Sequence, residues 1–340
     1  MTVIGIAGLG VYLPERAMTA GELAAASGIP EEVIRVKFGL NQKRIADVSG
    51  KGETVSMMAA EASRRALQDA GVPPEEVDAL IYFGSMHKDY YVWLAAPRIQ
   101  ALLGAHRAYA FEICGTSAGL PFAMKAARSM MLADPSLRHV LLVAASNESM
   151  LLDYTNHRAR FMFNFGDGAA ACLLRRDHPF NVVLESALRT DGRFAEFVRV
   201  PAGGSVLPPS HETVERRLHY FDVTDPVQMK AMLDPITLDY FVGVVREAIA
   251  RSGCHGPDFL IPLHTKRSLF EALLSTLGLA ESQAIYLSDY GHLSAADPLL
   301  GLYLAREAGR LRNGDVVVLL SAGTGYSWGA TVLRWGGPHG

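Results

Sequence analysis

The sequence predicts an α/β fold made of two similar halves, and three observations carry that prediction. Short apolar runs bounded by turn residues alternate with amphipathic helical patterns along the whole chain. The same succession of segments occurs twice in the same order. No Pro/Ser-rich linker, low-complexity tract or charge block divides the chain into unlike parts.

In the first half, Ser56–Gly71 reads as an amphipathic helix, Ala79–Phe83 as a buried strand, Ser117–Leu132 as a second helix and Val140–Ala145 as a second strand. In the second half the corresponding readings are the helix Leu238–Ser252, the strand Phe259–Leu263, the helix Pro298–Leu311 and the strand Asp315–Leu320. Pro201–Ser210 (PAGGSVLPPS) reads as a surface loop. The repeat is visible in particulars. Glu61-Ala-Ser-Arg-Arg-Ala-Leu-Gln-Asp-Ala-Gly before Val77-Asp-Ala-Leu-Ile resembles Arg246-Glu-Ala-Ile-Ala-Arg-Ser-Gly before Pro257-Asp-Phe-Leu-Ile. Ser117-Ala118 and Ser294-Ala295 each open a helix that leads to an apolar strand, with an offset of about 177 residues. Gly168-Ala-Ala-Ala-Cys-Leu-Leu is echoed by Gly329-Ala-Thr-Val-Leu-Arg-Trp. The halves are therefore placed at residues 1–176 and 177–340, packed face to face with a shared site at their seam.

Composition narrows the function. With 49% hydrophobic and 20% charged residues in 340, the chain can bury a large core, which excludes disorder. Thirty-two basic against 35 acidic residues, with no Lys/Arg-rich run, exclude an electrostatic nucleic-acid binder. Cys114, Cys172 and Cys254 are odd in number and lack C-x-x-C spacing, so neither a disulfide framework nor a structural metal site is expected. No basic n-region opens the chain and no run approaches the roughly 18 apolar residues of a membrane span. A soluble cytoplasmic protein that neither crosses a membrane nor binds nucleic acid is expected.

Chemistry concentrates in Glu112-Ile-Cys-Gly-Thr-Ser-Ala-Gly-Leu, between an apolar stretch (Ala108-Tyr-Ala-Phe) and a helix. A strand entering a helix through small residues presents a side chain at the helix amino terminus, where free N–H groups favour developing negative charge. Ser117 and Cys114 both compete for that place. Ser117 could equally cap the helix, and Cys114 could be a small buried hydrophobe. Gly115-Thr-Ser-Ala-Gly119 also matches G-x-S-x-G, the nucleophile elbow of α/β-hydrolases, so a serine esterase is an alternative. Hydrolases, however, carry their acid before their histidine and have no internal repeat. A serine needs a base, and two histidines fall at the seam after second-half strands: His264 in Ile261-Pro-Leu-His-Thr-Lys and His292 in Asp289-Tyr-Gly-His-Leu-Ser-Ala-Ala-Asp297.

The segment around Ser117 resembles the active-site turn of ketoacyl synthase III enzymes, Asp-Ile-x-x-x-Cys-Ala-Gly-Phe, within the thiolase-like superfamily. Phe165-Gly-Asp-Gly-Ala-Ala and Gly323-Thr-Gly-Tyr-Ser-Trp-Gly-Ala resemble further stretches of the same family. The resemblance implies a five-layer α-β-α-β-α arrangement of two duplicated halves. It places Ser117 at the nucleophilic cysteine and His292 at an asparagine. A gapless match puts His264 one place after the family's histidine.

A histidine in place of an amide supplies a base, and Asp297, five residues on, could fix its tautomer, giving a candidate triad Ser117–His292–Asp297. Asp297 before Pro298 also reads as a helix N-cap. This variant resembles the starter-unit acyltransferases of anthracycline-type polyketide pathways. The likeness implies self-acylation of Ser117 from a short acyl-CoA such as propionyl-CoA. It implies passage of the starter unit to an acyl carrier protein or ketosynthase partner by a homodimer without a resident cofactor. A decarboxylative 3-oxoacyl synthase III of fatty-acid or polyketide synthesis is the alternative. The oxyanion donors would be the N–H of Ser117 and one from the Gly323–Gly325 turn. Lys43, Arg44, Arg158 and Arg160 are candidate contacts for the coenzyme A phosphates.

Overall fold

Nine strands account for the frame of the protein, which a computed structural model describes over residues 2–337. They are β1 (Ile4–Tyr12), β2 (Ala79–Tyr82), β3 (Tyr109–Glu112), β4 (His139–Ser146), β5 (Gly168–Arg176), β6 (Val182–Thr190), β7 (Phe259–Pro262), β8 (Val316–Gly323) and β9 (Ser327–Arg334). They are ordered β7-β8-β9-β6-β1-β5-β4-β2-β3, and the halves meet between β1 and β6 through the single pair Gly5↔Val182.

The pairing repeats. From the outer edge of the first half inward, β3 and β2 pair parallel, β2 and β4 parallel, β4 and β5 antiparallel, β5 and β1 antiparallel. In the second half a parallel bridge from Ala284 to Leu260 is followed by parallel β7–β8, antiparallel β8–β9 and antiparallel β9–β6. The likeness seen in the sequence is thus a likeness of topology.

Six longer helices complete five layers: α1 (Val55–Ala70), α2 (Ala95–Leu103), α3 (Gly119–Ala133), α4 (Pro226–Arg251), α5 (Arg267–Leu277) and α6 (Asp297–Glu307). Helices α3 and α6 form the central layer, where Leu120, Met124, Leu299 and Leu302 pack with Ile81, Leu142, Ile261 and Leu319 from both sheets. The alternate strand residues Leu80, Leu141 and Val143 face α1 and α2 outside, and Leu260, Val318 and Leu320 face α4 and α5. Burial on both faces is why these strands read as continuous apolar runs rather than as alternations. Of the described helices, none is long and apolar enough to cross a membrane.

Two helix boundaries differ from expectation. Helix α4 starts at Pro226 rather than near Leu238, capped by Asp225, whose carboxylate accepts the Val227 and Gln228 N–H groups, and it continues through Pro235. The internal proline hid the first three turns, although Asp225-Pro226 is the same cap-then-proline signal that Asp297-Pro298 offers. Asp297 in turn is the first residue of α6 and not its cap; its carboxylate is engaged elsewhere. The Pro201–Ser210 stretch is irregular and largely exposed.

Helix α1 lies so close over β1 that a Cβ at Gly10 would sit 2.1 Å from the Ala62 carbonyl oxygen and 2.3 Å from the Ala66 nitrogen. Backbone cannot yield there as a flexible side chain could. Gly10→Ala is therefore expected to cost about 3 kcal/mol, the upper part of the overpacking range, read as a lowered urea midpoint with unchanged slope.

Candidate active site

The nucleophile turn follows β3 directly. Strand β3 ends at Glu112, a 3₁₀ turn covers Thr116–Ala118, and α3 continues from Gly119, so Ser117 stands at the amino terminus of a continuous helical segment. The Ser117 N–H belongs to the first turn and has no partner within it. Thr116, just before it, adopts φ +46°, a left-handed conformation rare for a β-branched residue.

His292 comes from the second half. Its loop is held by a parallel bridge to Phe165: the His292 N–H donates to the Asn164 carbonyl and the Gly166 N–H donates to the His292 carbonyl, both at 2.9 Å. The Phe165 ring packs edge-on to the imidazole at 4.8 Å. Ser117 Oγ lies 2.8 Å from His292 Nε2, and His292 Nδ1 lies 2.6 Å from Asp297 Oδ2. An ionised carboxylate accepts only, so Nδ1 carries the proton and Nε2 is left to accept from the Ser117 hydroxyl. The three residues are 9%, 4% and 0% exposed, so the chain of bonds is shielded from water without being sealed at the serine.

Asp297 is fully committed. Oδ2 also accepts the His264 backbone N–H at 2.7 Å, and Oδ1 accepts the Leu293 N–H at 2.6 Å. Burial pushes the His292 imidazole down, but the Asp297 carboxylate and, more remotely, Glu148 outweigh it and raise the pKa above 6.5. Glu148 is itself buried; that burial raises its carboxyl above the usual range, against the Ser85 hydroxyl that donates to it at 2.7 Å.

The remaining candidates are placed otherwise. His264 touches the site through its backbone; its ring packs against Tyr286 at 5.0 Å, its nitrogens have no hydrogen-bond partner among the described residues, and burial lowers its pKa to about 4. It is a neutral neighbour of the triad and makes no bond to Ser117. Cys114 is exposed on the approach to the turn and makes no bond to His292 among the described residues. Gly323 lies against the turn that carries Ser117, and Gly325 follows two residues on with φ +138°.

Of the expected phosphate contacts, Lys43 is corrected. Lys43 is 0% exposed and donates to the Phe163 and Phe165 carbonyls at 2.7 and 2.8 Å, with the Tyr154 ring 5.0 Å away, so it clamps the turn that bridges to His292 and reaches no solvent. Arg44 is turned to the Pro14 and Glu15 carbonyls, and Arg158 is spent on Asp222 and the Val223 and Thr224 carbonyls. Arg160 is exposed. Thr116 and Glu148 give no sequence signal as parts of this site, because they act through a backbone carbonyl or a distant partner and form no motif, and Lys43 was expected at a phosphate rather than beside the His292 loop.

The chain is similar to known proteins over nearly its whole length. The family model described as 3-oxoacyl-[acyl-carrier-protein (ACP)] synthase III matches residues 111–192, and its C-terminal counterpart matches residues 255–335. The chain is 34% identical over 337 residues to β-ketoacyl-[acyl-carrier-protein] synthase III of Symbiobacterium thermophilum, covering 98% of each chain. It is 32% identical to the enzyme of the same name from Caldanaerobacter subterraneus subsp. tengcongensis, covering 97% of each. Among solved structures, the Pseudomonas aeruginosa 3-oxoacyl-(acyl carrier protein) synthase III superposes with a TM-score of 0.84 at 26% identity, over 99% of this chain and 100% of that one.

Burial lowers the Lys43 pKa from 10.5 to about 7, against the opposing attraction of Asp167. The unfolded chain therefore binds a proton that the folded chain does not between about pH 7 and 10, and stability owed to Lys43 rises with pH across that window. Relative to Lys43→Met, wild-type unfolding free energy is expected to gain up to about 1.4 kcal/mol per pH unit there, measured by urea denaturation at pH 7, 8 and 9.

Proposed function

Because the chain belongs to the β-ketoacyl-[acyl-carrier-protein] synthase III family, whose members are acyl-transferring enzymes of thiolase-like fold, we propose that it is the family's serine variant. In this reading it self-acylates Ser117 from a short acyl-CoA such as propionyl-CoA and passes the acyl group to an acyl carrier protein or ketosynthase as a polyketide starter unit. The observation that carries this reading is the Ser117–His292–Asp297 chain of hydrogen bonds. A hydroxyl is a poor nucleophile at neutral pH, and this chain is what makes it serviceable.

Ser117 Oγ attacks the thioester carbonyl carbon while its proton passes to His292 Nε2; Asp297 holds the imidazolium. The resulting oxyanion sits between the Ser117 N–H and a backbone N–H of the Gly323–Gly325 turn. Its collapse breaks the C–S bond, and the imidazolium protonates the departing coenzyme A thiolate. Transfer runs the same steps in reverse, the acceptor thiol giving its proton to His292 and Ser117 leaving with it. The acyl group waits as an oxygen ester, less activated than the thioester of a cysteine enzyme. With a histidine where the resemblance places an asparagine, and with the His264 ring outside the hydrogen-bonded chain, the pair of donors that the resemblance implies for a malonyl enolate is altered. Transfer is favoured over decarboxylative condensation. A homodimer would cover the exposed Tyr90, Tyr91, Val92 and Leu94 beside the open edge strand β3.

Incubation with propionyl-CoA and peptide mass mapping is expected to find the adduct on Ser117. An adduct on Cys114, or none, overturns the reading, and rapid release of free acid from simple esters points to the hydrolase. Efficient ketoacyl formation from acyl-CoA and malonyl carrier protein would make it a condensing synthase instead. Acylation requires neutral His292, so its rate is expected to fall as pH drops through an apparent pKa above 6.5. His292→Ala, shown folded by circular dichroism, should slow acylation by roughly 10²–10⁴-fold, Asp297→Asn less, and His264→Ala least.

A further inference from the structure

The two halves of the oxyanion site belong to chain segments more than two hundred residues apart. What joins the segments directly is Thr116. Its Oγ1 lies 2.8 Å from the Gly115 carbonyl oxygen and 3.2 Å from that of Thr324, the residue between the two glycines of the turn. The single hydroxyl proton is shared between these two acceptors, and of the two contacts only that to Thr324 crosses between the halves.

Two further observations bear on the same contact. A Cβ at Gly323 would fall 2.2 Å from Thr116 Oγ1, 2.7 Å from the Ala118 nitrogen and 2.9 Å from the Gly115 oxygen, so the turn is seated directly on the nucleophile loop with no side chain between. Thr116 is also held at φ +46°. A β-branched residue there costs on the order of 1–3 kcal/mol, and such strain persists only where the surroundings over-determine it. Threonine is a poor choice for that conformation on stability grounds, and glycine would serve better. The hydroxyl is what the site gains in exchange.

We propose that Thr116 is a positioning residue that latches the Gly323–Gly325 turn onto the nucleophile loop and so sets the spacing between Ser117 and the turn's N–H donors. The inference rests on the reading that Ser117 becomes acylated and adds to it the device that aligns the oxyanion donors. Thr116 itself touches neither substrate nor the triad.

The test compares Thr116→Val, which keeps the shape without the donor, Thr116→Ser, which keeps the donor, and Thr116→Gly, which removes both donor and strain. Two readouts are taken on the full-length protein: the saturating rate of Ser117 acylation by propionyl-CoA from intact mass, and the rate of Ser117 phosphonylation by a fluorophosphonate. The Val and Gly variants are expected to be slower by roughly 10–100-fold in both, with half-saturating propionyl-CoA changed less than about threefold, because a displaced donor forfeits part of what a deleted one does. Thr116→Ser should stay within about threefold of wild type. Thr116→Gly should melt no lower than wild type while reacting more slowly, a divergence that a merely structural role would not produce. Wild-type-like rates in both Val and Gly variants would overturn the latch, as would a Ser variant as slow as Val. Should wild type refuse acyl-CoA altogether, the acyltransferase reading fails, and phosphonylation still decides the role of Thr116. If the Val variant does not fold, the smaller Gly and Ser variants give the same comparison.

Discussion

One buried carboxylate organises the second-half side of the site. The two oxygens of Asp297 receive the imidazole of His292 and two backbone N–H groups, those of Leu293 and His264. A carboxylate without exposure is tolerable only when its lone pairs are met by donors, and here three donors from two loops and one side chain meet them. The same bonds fix the end of β7, the turn after His292 and the start of α6 relative to one another. The tautomer of His292, the direction of its Nε2 and the local fold are consequences of a single ion's requirements.

The other side of the site answers to backbone geometry. Small residues carry the chain from β3 into α3, and the serine emerges where the helix has free N–H groups. Neither half can assemble the nucleophile and its base alone, since Ser117 comes from the first and His292 from the second. Their meeting depends on α3 and α6 lying side by side in the central layer, with Leu120, Met124, Leu299 and Leu302 packed between the sheets. Packing in that layer and the chemistry at its end are therefore mechanically coupled.

Much of this was legible in the residues, for identifiable reasons. Doubly buried strands such as Val140–Ala145 announce themselves by composition, and the repeat was readable because helix and strand recur at fixed spacing. Ser117, His292 and Asp297 were candidates because residue type, spacing and seam position coincided. What failed to show was anything decided by where a flexible side chain ends. Lys43 and Arg158 have the charge of phosphate contacts, yet both deliver it to carbonyls, which no local pattern records. Thr116 was passed over because its bond is to a backbone oxygen in the other half. Helix α4 extends further toward Asp225 than expected, with Pro235 standing inside it.

Lys43 has a bearing on chemoselectivity. Burial lowers the pKa of its amine to about 7, and the neutral form of an amine attacks thioesters to give amides. An acyl group captured that way would be a dead end, since an amide does not return its cargo to a thiol. The amine beside the His292 loop donates to the Phe163 and Phe165 carbonyls and is 0% exposed. Burial that lowers the pKa of this lysine also keeps it away from any electrophile in solution.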